Sequence, residues 1–461
     1  MKKSLRTISE WLKSEMPASA DVMVTGVSIN TKTIQPGDLF IPFKGEKVNG
    51  HQYVAQAFEK GAAAALWQQD EPNPPQGVPL LMVEDSEKAL QQMASAYRKE
   101  HRATFIGITG SNGKTSTKDL VAGVLSPYFR VQKTAGNFNN NLGLPITILS
   151  LDEDTEFAVL EMGMSGYGEI EFLSNLAEPH FVAITNIGEA HMLDLGSREG
   201  IAKAKFEIVA GLQKDGSLFY DGDEPLLDPL VKQFNREKPS SVDTVSFGMG
   251  DSNGVYAQSI QATENGSEFD VNGLIEDHFT IPVLGKHQVK NALVAILIAQ
   301  KTGLSNEQIK ESLKQVSLTD MRMQLIPAIN GSLFINDAYN AAPTSMKAAI
   351  TFARETTIRP EKWLVLGDML ELGTDEKVFH EELAWQITPQ DFAGVCLYGN
   401  RMKWLYDKMR NQWDANHLVW TENDYDVIAD TLKSHTSKDS IVLVKGSRGM
   451  ALENIIDLVN E

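Results

Sequence analysis

The chain has 461 residues, of which 42% are hydrophobic, and it carries a formal net charge of −19. This length and composition predict about three globular domains with sizeable cores, and the acidic balance argues against nonspecific binding to nucleic acid. The single cysteine, Cys396, excludes an intrachain disulfide framework and a cysteine-rich metal site. No secretory pattern follows the basic start and no apolar run is long enough to cross a bilayer, so we expect a cytoplasmic protein without membrane insertion. We also expect a monomer.

The first 100 residues are predicted to form a small α/β domain. Residues 1–15 carry apolar side chains at helical spacing, which is typical of a short amphipathic helix. Short apolar segments separated by turn residues then predict strands, with helical stretches between them. The predicted strands are 22–28, 38–43, 62–67 and 80–83, and the predicted helices are 53–60 and 86–100.

Residues 101–318 are predicted to form a second domain built on a mostly parallel sheet. Strand-like runs alternate with helical stretches, which is the order of βαβ units. Turn signals within residues 251–280 predict a β-rich insertion, and helices are expected from Gly285 to about residue 300 and at 305–315. The strand-like runs are 104–108, 157–162 and 181–186, and the helical stretches between them are 116–125 and 198–211.

The predicted third domain covers residues 319–461 and alternates strands and helices again. Its strands are expected at 333–337, 363–367, 394–397 and 441–444. The fold class predicted for the whole chain is therefore α/β with three domains. These are a small N-terminal α/β domain, a central phosphate-loop sheet and a C-terminal Rossmann-like domain.

The segment IGITGSNGKTST at 106–117 is typical of a phosphate-binding loop between a strand and a helix. Glycines at 107, 110 and 113 allow backbone N–H groups to converge on phosphate oxygens, and the helix start adds partial positive charge. Lys114 is expected to reach the outer phosphates and the Thr115 hydroxyl to bind Mg²⁺. The strict P-loop pattern has glycine where Ile108 stands. The alternative, a glycine-rich turn that binds nothing, is disfavoured by the Lys-Thr pair at the helix start.

Polar residues end two of the strand-like runs beside this loop. Glu161 lies near the end of one run, and His191 follows the other. Because ligands bind beyond the carboxyl ends of parallel strands, both side chains are candidate ligands of a Mg²⁺ held by Thr115. Histidine is a less usual ligand for so hard an ion. The alternatives are a solvated carboxylate at a strand end and a loop histidine that caps a helix.

Two lysines and an asparagine cluster leave further alternatives open. On pattern alone, Lys203 and Lys205 are both predicted to be surface lysines of the helix after His191. The segment TAGNFNNNLGLP is expected to be a turn-rich loop. Its amides either build the loop or hydrogen-bond phosphate or a polar substrate, and the residues alone do not decide. The four amides are Asn137, Asn139, Asn140 and Asn141.

Motifs along the whole chain, in order, resemble those of the Mur ligase family, whose members form amide bonds with ATP in cell-wall precursor synthesis. The last domain resembles the branch that joins D-alanyl-D-alanine to UDP-N-acetylmuramoyl-tripeptide. The motifs are VSINTKTIQPGDLFIPFKGEKVNGH, GITGSNGKTST, TAGNFNNNLGLP, EMGM, TNIGEAHMLDLGS, AKAKFEI, GKHQVKNALVA, MRMQL, NDAYNAAPTSM, GDMLELG and VKGSRGM.

The resemblance implies roles for residues that match the family motifs. Lys114, Glu161, His191 and Lys205 would be the catalytic residues, and Mg²⁺ would be bound by Thr115, Glu161, His191 and a carbamylated Lys205. ATP would be bound by Gly110, Ser111, Asn112, Gly113, Lys114, Thr115, Ser116, Asn137, Asn291, Arg322 and Asp337, with His287 near the adenine. The two other substrates would be bound by Ser28, Asn30, Lys44, Asn139, Asn140, Tyr339 and Asn340. Asp368, Glu371 and His380 are further candidates for the dipeptide.

Four positions depart from the family motifs. Asn30 and Lys32 stand where aspartate and arginine are usual, and a lysine lacks the planar fork that grips a diphosphate. Gln288 and Ala342 each stand where asparagine is usual. These departures concern the uridine, adenine and dipeptide ends of the substrates and leave the phosphate loop unchanged.

The implied reaction activates a carboxylate of UDP-N-acetylmuramoyl-tripeptide as an acyl phosphate, which the amine of D-alanyl-D-alanine then attacks. The first domain would hold the UDP end, the second ATP and the third the dipeptide, and the third domain would close on ATP to exclude water. Two alternatives remain. One is another Mur-type ligase that adds a single amino acid, and the other is a nonenzymatic ATP-binding switch.

Overall fold

The computed structural model describes residues 1–15, 19–189 and 192–461, without the side chain of Leu193. Contacts divide the chain into two compact units. The first comprises Met1–Gly254 with Val294–Thr302, and the second comprises Val255–Leu293 with Gly303–Glu461. The boundaries at residues 100 and 318 stay predictions. In the described ranges, no helix combines the length and apolar character needed to cross a bilayer.

The first unit begins with a parallel four-stranded sheet of order β3-β4-β5-β6, preceded by a short antiparallel ribbon of β1 and β2. Helix α3 has the predicted bounds because Asp85 caps its first N–H groups, an interaction worth about 1 kcal/mol. The elements are β1 Lys3–Ser4, α1 Leu5–Leu12, β2 Met23–Val24, β3 Gly26–Ser28, β4 Asp38–Phe40, α2 Val54–Glu59, β5 Ala64–Gln68, β6 Leu80–Val83 and α3 Ser86–Glu100.

The central sheet of the first unit is parallel, with the order β12-β11-β10-β7-β9-β8. Strands β8, β11 and β12 were not predicted; β8 is a three-residue strand at the sheet edge whose residues are only partly buried or exposed. The elements are β7 Thr104–Thr109, α4 Lys114–Leu125, β8 Val131–Lys133, α5 Gly143–Leu149, β9 Phe157–Glu161, α6 Glu169–Ala177, β10 Phe181–Ile184, α7 Met192–Leu195, α8 Arg198–Phe206, β11 Ser217–Asp221, α9 Asp228–Glu237 and β12 Asp243–Gly248.

Helix α3 anchors the first sheet to the central one. The Tyr97 hydroxyl donates to the Leu151 carbonyl (2.8 Å), and Arg98 donates to the carbonyls of Ala177, which ends helix α6, and of Glu178, which follows it. One apolar core runs through both regions, from Leu5 and Leu90 to residues of α5 and α6. Because this core is continuous, the first 254 residues form one compact body.

The second unit contains an antiparallel β insertion, as predicted, and a second α/β sheet of order β16-β17-β21-β18-β19-β20, parallel except for the edge strand β16. The elements are β13 Val255–Thr263, β14 Gly266–Gly273, β15 Asp277–Ile281, α10 Lys286–Lys301, α11 Asn306–Lys314, β16 Gln324–Pro327, β17 Leu333–Asn336, α12 Pro343–Glu355, β18 Glu361–Gly367, α13 Glu376–Glu382, β19 Gly394–Tyr398, α14 Met402–Met409, β20 Leu418–Thr421, α15 Tyr425–His435, β21 Ser440–Lys445 and α16 Glu453–Asn460.

Both faces of this second sheet are covered. Along β18, Leu364 and Leu366 enter one apolar cluster while Trp363 and Val365 enter another. This alternation follows from the two-residue period of a strand, and burial on both faces explains why the strand is almost continuously apolar. Cys396 is fully buried in the next strand, where burial raises the pKa of its thiol to about 12. The predicted α/β class and the core position of the cysteine are confirmed.

Candidate phosphate and metal site

The loop after β7 has the backbone that its glycines predict. Gly110 has φ +150°, and a Cβ placed there would lie 1.9 Å from the Thr185 hydroxyl, so only glycine fits. Gly113, with φ +81°, turns the chain into helix α4. The partly positive start of α4 therefore lies at the carboxyl end of β7, where a phosphate would be stabilised.

The segment after β10 holds this loop in place. The Asn112 N–H donates to Asn186 Oδ1 (2.9 Å), and the Thr185 hydroxyl donates to the Asn112 carbonyl (2.6 Å). The Ser111 hydroxyl accepts from the Gly188 N–H at 2.8 Å. Strands β7 and β10 are direct neighbours, so Asn186, which follows β10, fixes the loop from the next strand.

Thr115 and Glu161 meet at the ends of adjacent strands. The Thr115 hydroxyl donates to Glu161 Oε2 at 2.9 Å, and the Asn139 amide donates to Oε1 at 2.9 Å. Glu161 is 4% exposed. A hydroxyl and a carboxylate are oxygen ligands of the kind that Mg²⁺ prefers, so Thr115 and Glu161 fit the ion that the sequence implies.

Two further residues were expected at the same place. The Lys114 ammonium donates to the Gly110 carbonyl at 2.9 Å and is thus folded back over the loop. His191 lies outside the described residues, so its predicted role as a metal ligand stays a prediction. In the ranges that the structure describes, no group of three or more histidine, cysteine, aspartate and glutamate side chains is arranged to hold a metal.

Lys205 is buried, and the surface position predicted for it from the pattern is wrong. It is 2% exposed, and burial together with the nearby Lys114 ammonium holds the pKa of its amine well below the usual range. Lys205 lies four residues after Ile201 on the inward face of helix α8, a spacing that could have indicated burial. Lys203, on the other face, is exposed as predicted.

The asparagine loop divides its amides among separate tasks. Asn139 holds Glu161, and its carbonyl accepts from the Gly163 N–H at 2.8 Å. Asn140 Oδ1 accepts from the N–H groups of Leu142 and Gly143 at the start of α5. The Asn141 amide donates to Glu87 Oε1 on helix α3 (2.5 Å). The side chains of Asn140 and Asn141 thus take part in building the loop, and the substrate contact implied for Asn140 stays a prediction.

The candidate uridine-nucleotide residues fall into two groups within the first unit. The Ser28 hydroxyl donates to the Asn30 carbonyl (3.0 Å) and lines a cavity of about 630 Å³. Lys44 lies elsewhere and is paired with Asp70 (2.7 Å) and Glu71 (3.2 Å). The structure therefore brings Ser28 and Asn30 together but gives Lys44 carboxylate partners of its own.

Candidate residues of the second unit form an ion pair and a cation–π contact. Asp337 Oδ2 lies 2.6 Å from the ammonium of Lys445, which also donates to the Asn340 carbonyl at 3.0 Å. The Arg322 guanidinium carbon lies 4.0 Å from the centre of the Tyr339 ring. Lys445 was missed in the sequence; its signal was a lysine at the end of an apolar strand in VKGSRGM.

Two of the further dipeptide candidates serve the fold instead. His380 is fully buried; its Nε2 accepts from the Met369 N–H (3.0 Å) and its Nδ1 donates to the Glu376 carbonyl (2.6 Å). The Asp368 carboxylate accepts from backbone N–H groups at the start of helix α14. With both ring nitrogens occupied by backbone, His380 holds the loop after β18 rather than a dipeptide. Glu371 is exposed.

Family models match most of the chain. The model of the Mur ligase family catalytic domain matches residues 23–98, that of the Mur ligase middle domain matches 108–299, and that of the Mur ligase glutamate ligase domain matches 321–448. A curated UDP-N-acetylmuramoyl-tripeptide–D-alanyl-D-alanine ligase from Bacillus subtilis is 44% identical over 100% of this chain and 99% of its own length. The chain belongs to the Mur ligase family.

Solved structures agree with this membership. A MurF crystal structure from Acinetobacter baumannii is 26% identical to this Mur ligase, with a TM-score of 0.88 over 100% of this chain and 99% of that one. MurF from Thermotoga maritima in complex with ADP is 26% identical, with a TM-score of 0.80 over 95% and 97% of the two chains. The predicted family and fold are therefore confirmed.

Two of the four positions at which this Mur ligase departs from the family motifs lie in the first unit. Asn30 Oδ1 accepts the N–H of Lys32 at 2.9 Å. An aspartate oxygen would accept the same hydrogen bond, so the substitution keeps the turn and removes one negative charge. Lys32 is exposed, and its side chain keeps the positive charge of the usual arginine without its planar fork.

The two other departures also keep local hydrogen bonds. Gln288 is buried, and its Oε1 accepts from the amide of Asn291 at 3.1 Å. Ala342 precedes helix α12, where the Ser345 hydroxyl accepts from its N–H at 3.0 Å. Gln288 thus fixes the side chain of Asn291, which is predicted to bind ATP, and Ser345 supplies the polar group at the helix start.

Proposed function

We propose that this chain is an ATP-dependent ligase that joins D-alanyl-D-alanine to UDP-N-acetylmuramoyl-tripeptide in cytoplasmic peptidoglycan precursor synthesis, releasing ADP and phosphate. The support that carries the substrate assignment is the 44% identity to a full-length relative with that name. The support for the reaction type is the contact between Thr115 and Glu161 beside a phosphate loop.

A carboxylate is a poor acyl donor because its charge repels a nucleophile and oxide leaves badly. Transfer of the terminal phosphoryl group of ATP to the peptide carboxylate gives an acyl phosphate, and the dipeptide amine then attacks the carbonyl and expels phosphate. Lys114 and the start of helix α4 stabilise the charge on the transferred phosphoryl group. Thr115 and Glu161 would hold Mg²⁺, which supplies further positive charge there.

Lys205 is proposed to be carbamylated. Its neutral amine attacks CO₂, an N–C bond forms as one C–O π bond of CO₂ breaks, and one proton is released, so that a neutral amine becomes an anionic carbamate. Only the unprotonated amine can react, and its burial beside Lys114 favours that form. A carboxylate at this position would help to hold a second Mg²⁺, as the family resemblance implies. His191 is proposed as a further ligand on the same ground.

The other binding assignments stay proposals that rest on the family motifs. Ser28, Asn30 and Lys44 are assigned to the UDP end, and Asn137, Asn291, Arg322 and Asp337 to ATP. Asn139 keeps its assignment to the site because its amide donates to the Glu161 carboxylate. The family motifs imply dipeptide binding by Tyr339 and Asn340, and Asn340 keeps that assignment.

The deciding experiment is phosphate release from ATP and Mg²⁺ with UDP-N-acetylmuramoyl-tripeptide, with and without D-alanyl-D-alanine, followed by product mass. Release that requires both substrates, with a product heavier by one dipeptide less water, is expected. Release with a single amino acid instead would assign the chain to another ligase of the family. ATP binding without release under any of these conditions would identify a nonenzymatic switch.

A further inference from the structure

The side chains of Arg322 and Tyr339 form a stacked pair in the second unit. The guanidinium carbon lies 4.0 Å from the ring centre, within the range of a cation–π contact. The Tyr339 N–H also donates to the Met321 carbonyl at 3.3 Å. Backbone and side chain of Tyr339 are therefore both fastened to the segment that carries Arg322.

The backbone around Arg322 is strained on both sides. Met321 has φ +63° and Met323 has φ +55°, left-handed conformations that residues other than glycine rarely adopt. Met323 is fully buried, and its N–H donates to Asp337 Oδ1 at 3.3 Å. Such strain persists only where the surroundings fix it, and it is common at ligand clamps.

The guanidinium of Arg322 does not form an ion pair with the carboxylate of Asp337. The buried ammonium of Lys445 already pairs with Asp337 at 2.6 Å. Within the described part of the second unit, Arg322 forms no ion pair, and its Nε is buried without a hydrogen-bond partner. A guanidinium held by its face keeps its N–H edge for an anion, and a phosphate oxygen matches that edge.

We infer that Tyr339 is a positioning residue that orients Arg322 towards a nucleotide phosphate, rather than a contact to the dipeptide. This inference rests on the proposed function, in which Arg322 binds ATP. It moves Tyr339 from the dipeptide, where the sequence placed it, to the nucleotide. The ring is the part that matters, because the contact with Arg322 involves its face.

The test compares Tyr339→Leu, which removes the ring, with Tyr339→Phe, which keeps it. Tyr339→Leu is expected to raise the KM for ATP and the Kd for ADP by roughly 3- to 30-fold, the range of a cation–π contact, with the KM for D-alanyl-D-alanine unchanged. Tyr339→Phe should recover the wild-type values for ATP and ADP. In an Arg322→Ala background, Tyr339→Leu should cause no further loss of ADP affinity, because its partner is gone.

A role in dipeptide binding would give the opposite pattern. A raised KM for D-alanyl-D-alanine in Tyr339→Phe, or in Tyr339→Leu with ADP affinity unchanged, would overturn the inference. If Tyr339→Leu does not fold, Arg322→Lys tests the same stack. The lysine keeps the positive charge but lacks the planar guanidinium group that stacks on the ring, so this substitution should weaken ADP binding. Unchanged ADP affinity would also overturn the inference. Calorimetry with ADP needs no turnover, so this result is independent of whether wild-type protein ligates the proposed substrates.

Discussion

The hydroxyl of Thr115 donates a 2.9 Å hydrogen bond to Oε2 of Glu161. Thr115 lies in the first turn of helix α4 after β7, and Glu161 ends β9, the neighbouring strand. Two oxygen ligands from separate chain segments thus converge at the carboxyl edge of a parallel sheet, where the topology places ligands. A cation at this point would replace the hydroxyl proton as the partner of the carboxylate.

Replacing Glu161 by glutamine should raise the Mg²⁺ concentration needed for ligation. The amide keeps the shape and an acceptor oxygen but loses the negative charge that a hard cation requires. We expect a fall in kcat/KM of about 10²-fold or more at low Mg²⁺, measured as phosphate release across a Mg²⁺ titration. Glu171→Gln, at an exposed glutamate of helix α6, is the matched control. An unchanged Mg²⁺ dependence in Glu161→Gln would remove this residue from the metal site.

Lys114→Ala should fold but lose ligation. The ammonium folds over the loop at the Gly110 carbonyl, so it can reach phosphate without a change in the fold, and its charge serves the transferring phosphoryl group. A loss of about 10²- to 10³-fold in kcat is expected, as for removal of one stabilising donor. Turnover and the thermal unfolding midpoint should be compared with those of Lys203→Ala, whose side chain is exposed. Wild-type turnover in Lys114→Ala would contradict the phosphate-loop assignment.

The phosphate loop could be predicted because its parts are contiguous in the chain. Gly110, Gly113, Lys114 and Thr115 lie within six residues, and their local backbone defines the loop. Helix α3 was predicted with the bounds observed for the same reason, since Asp85 and the apolar spacing after it are local signals.

Contacts between distant segments could not be predicted in this way. The Lys445–Asp337 pair joins residues 108 positions apart, and only the pairing of β17 with β21 brings them together. The bond from Asn141 to Glu87 likewise depends on how α3 packs. Burial of Lys205 could not be predicted from its residue type, because a lysine is rarely buried without a specific partner or function.

Lys205→Ala should lose activity and recover part of it with short-chain carboxylates. The proposed carbamate supplies an anion, and a free carboxylate that enters the space left by the side chain would supply the same charge. The measurement is phosphate release with increasing formate or acetate, with Lys114→Ala as a control that these anions should not rescue. Full activity of Lys205→Ala without added anion would show that the lysine is not needed.

Lys205→Met should make the protein more stable at neutral pH in buffer free of CO₂. Burial lowers the pKa of this amine in the folded state well below its unfolded value of about 10.5. The unfolded chain therefore binds more protons between these two pKa values, so wild-type stability rises with pH in that window. The penalty is about 1.4 kcal/mol for each pH unit by which the pKa is lowered, and methionine removes it.

The stability difference between Lys205→Met and wild type, measured by urea unfolding, should shrink as the pH approaches 10.5. Lys203→Met, at an exposed site, should show no such trend, and parallel pH profiles for wild type and Lys205→Met would mean that the amine is not held neutral by the fold.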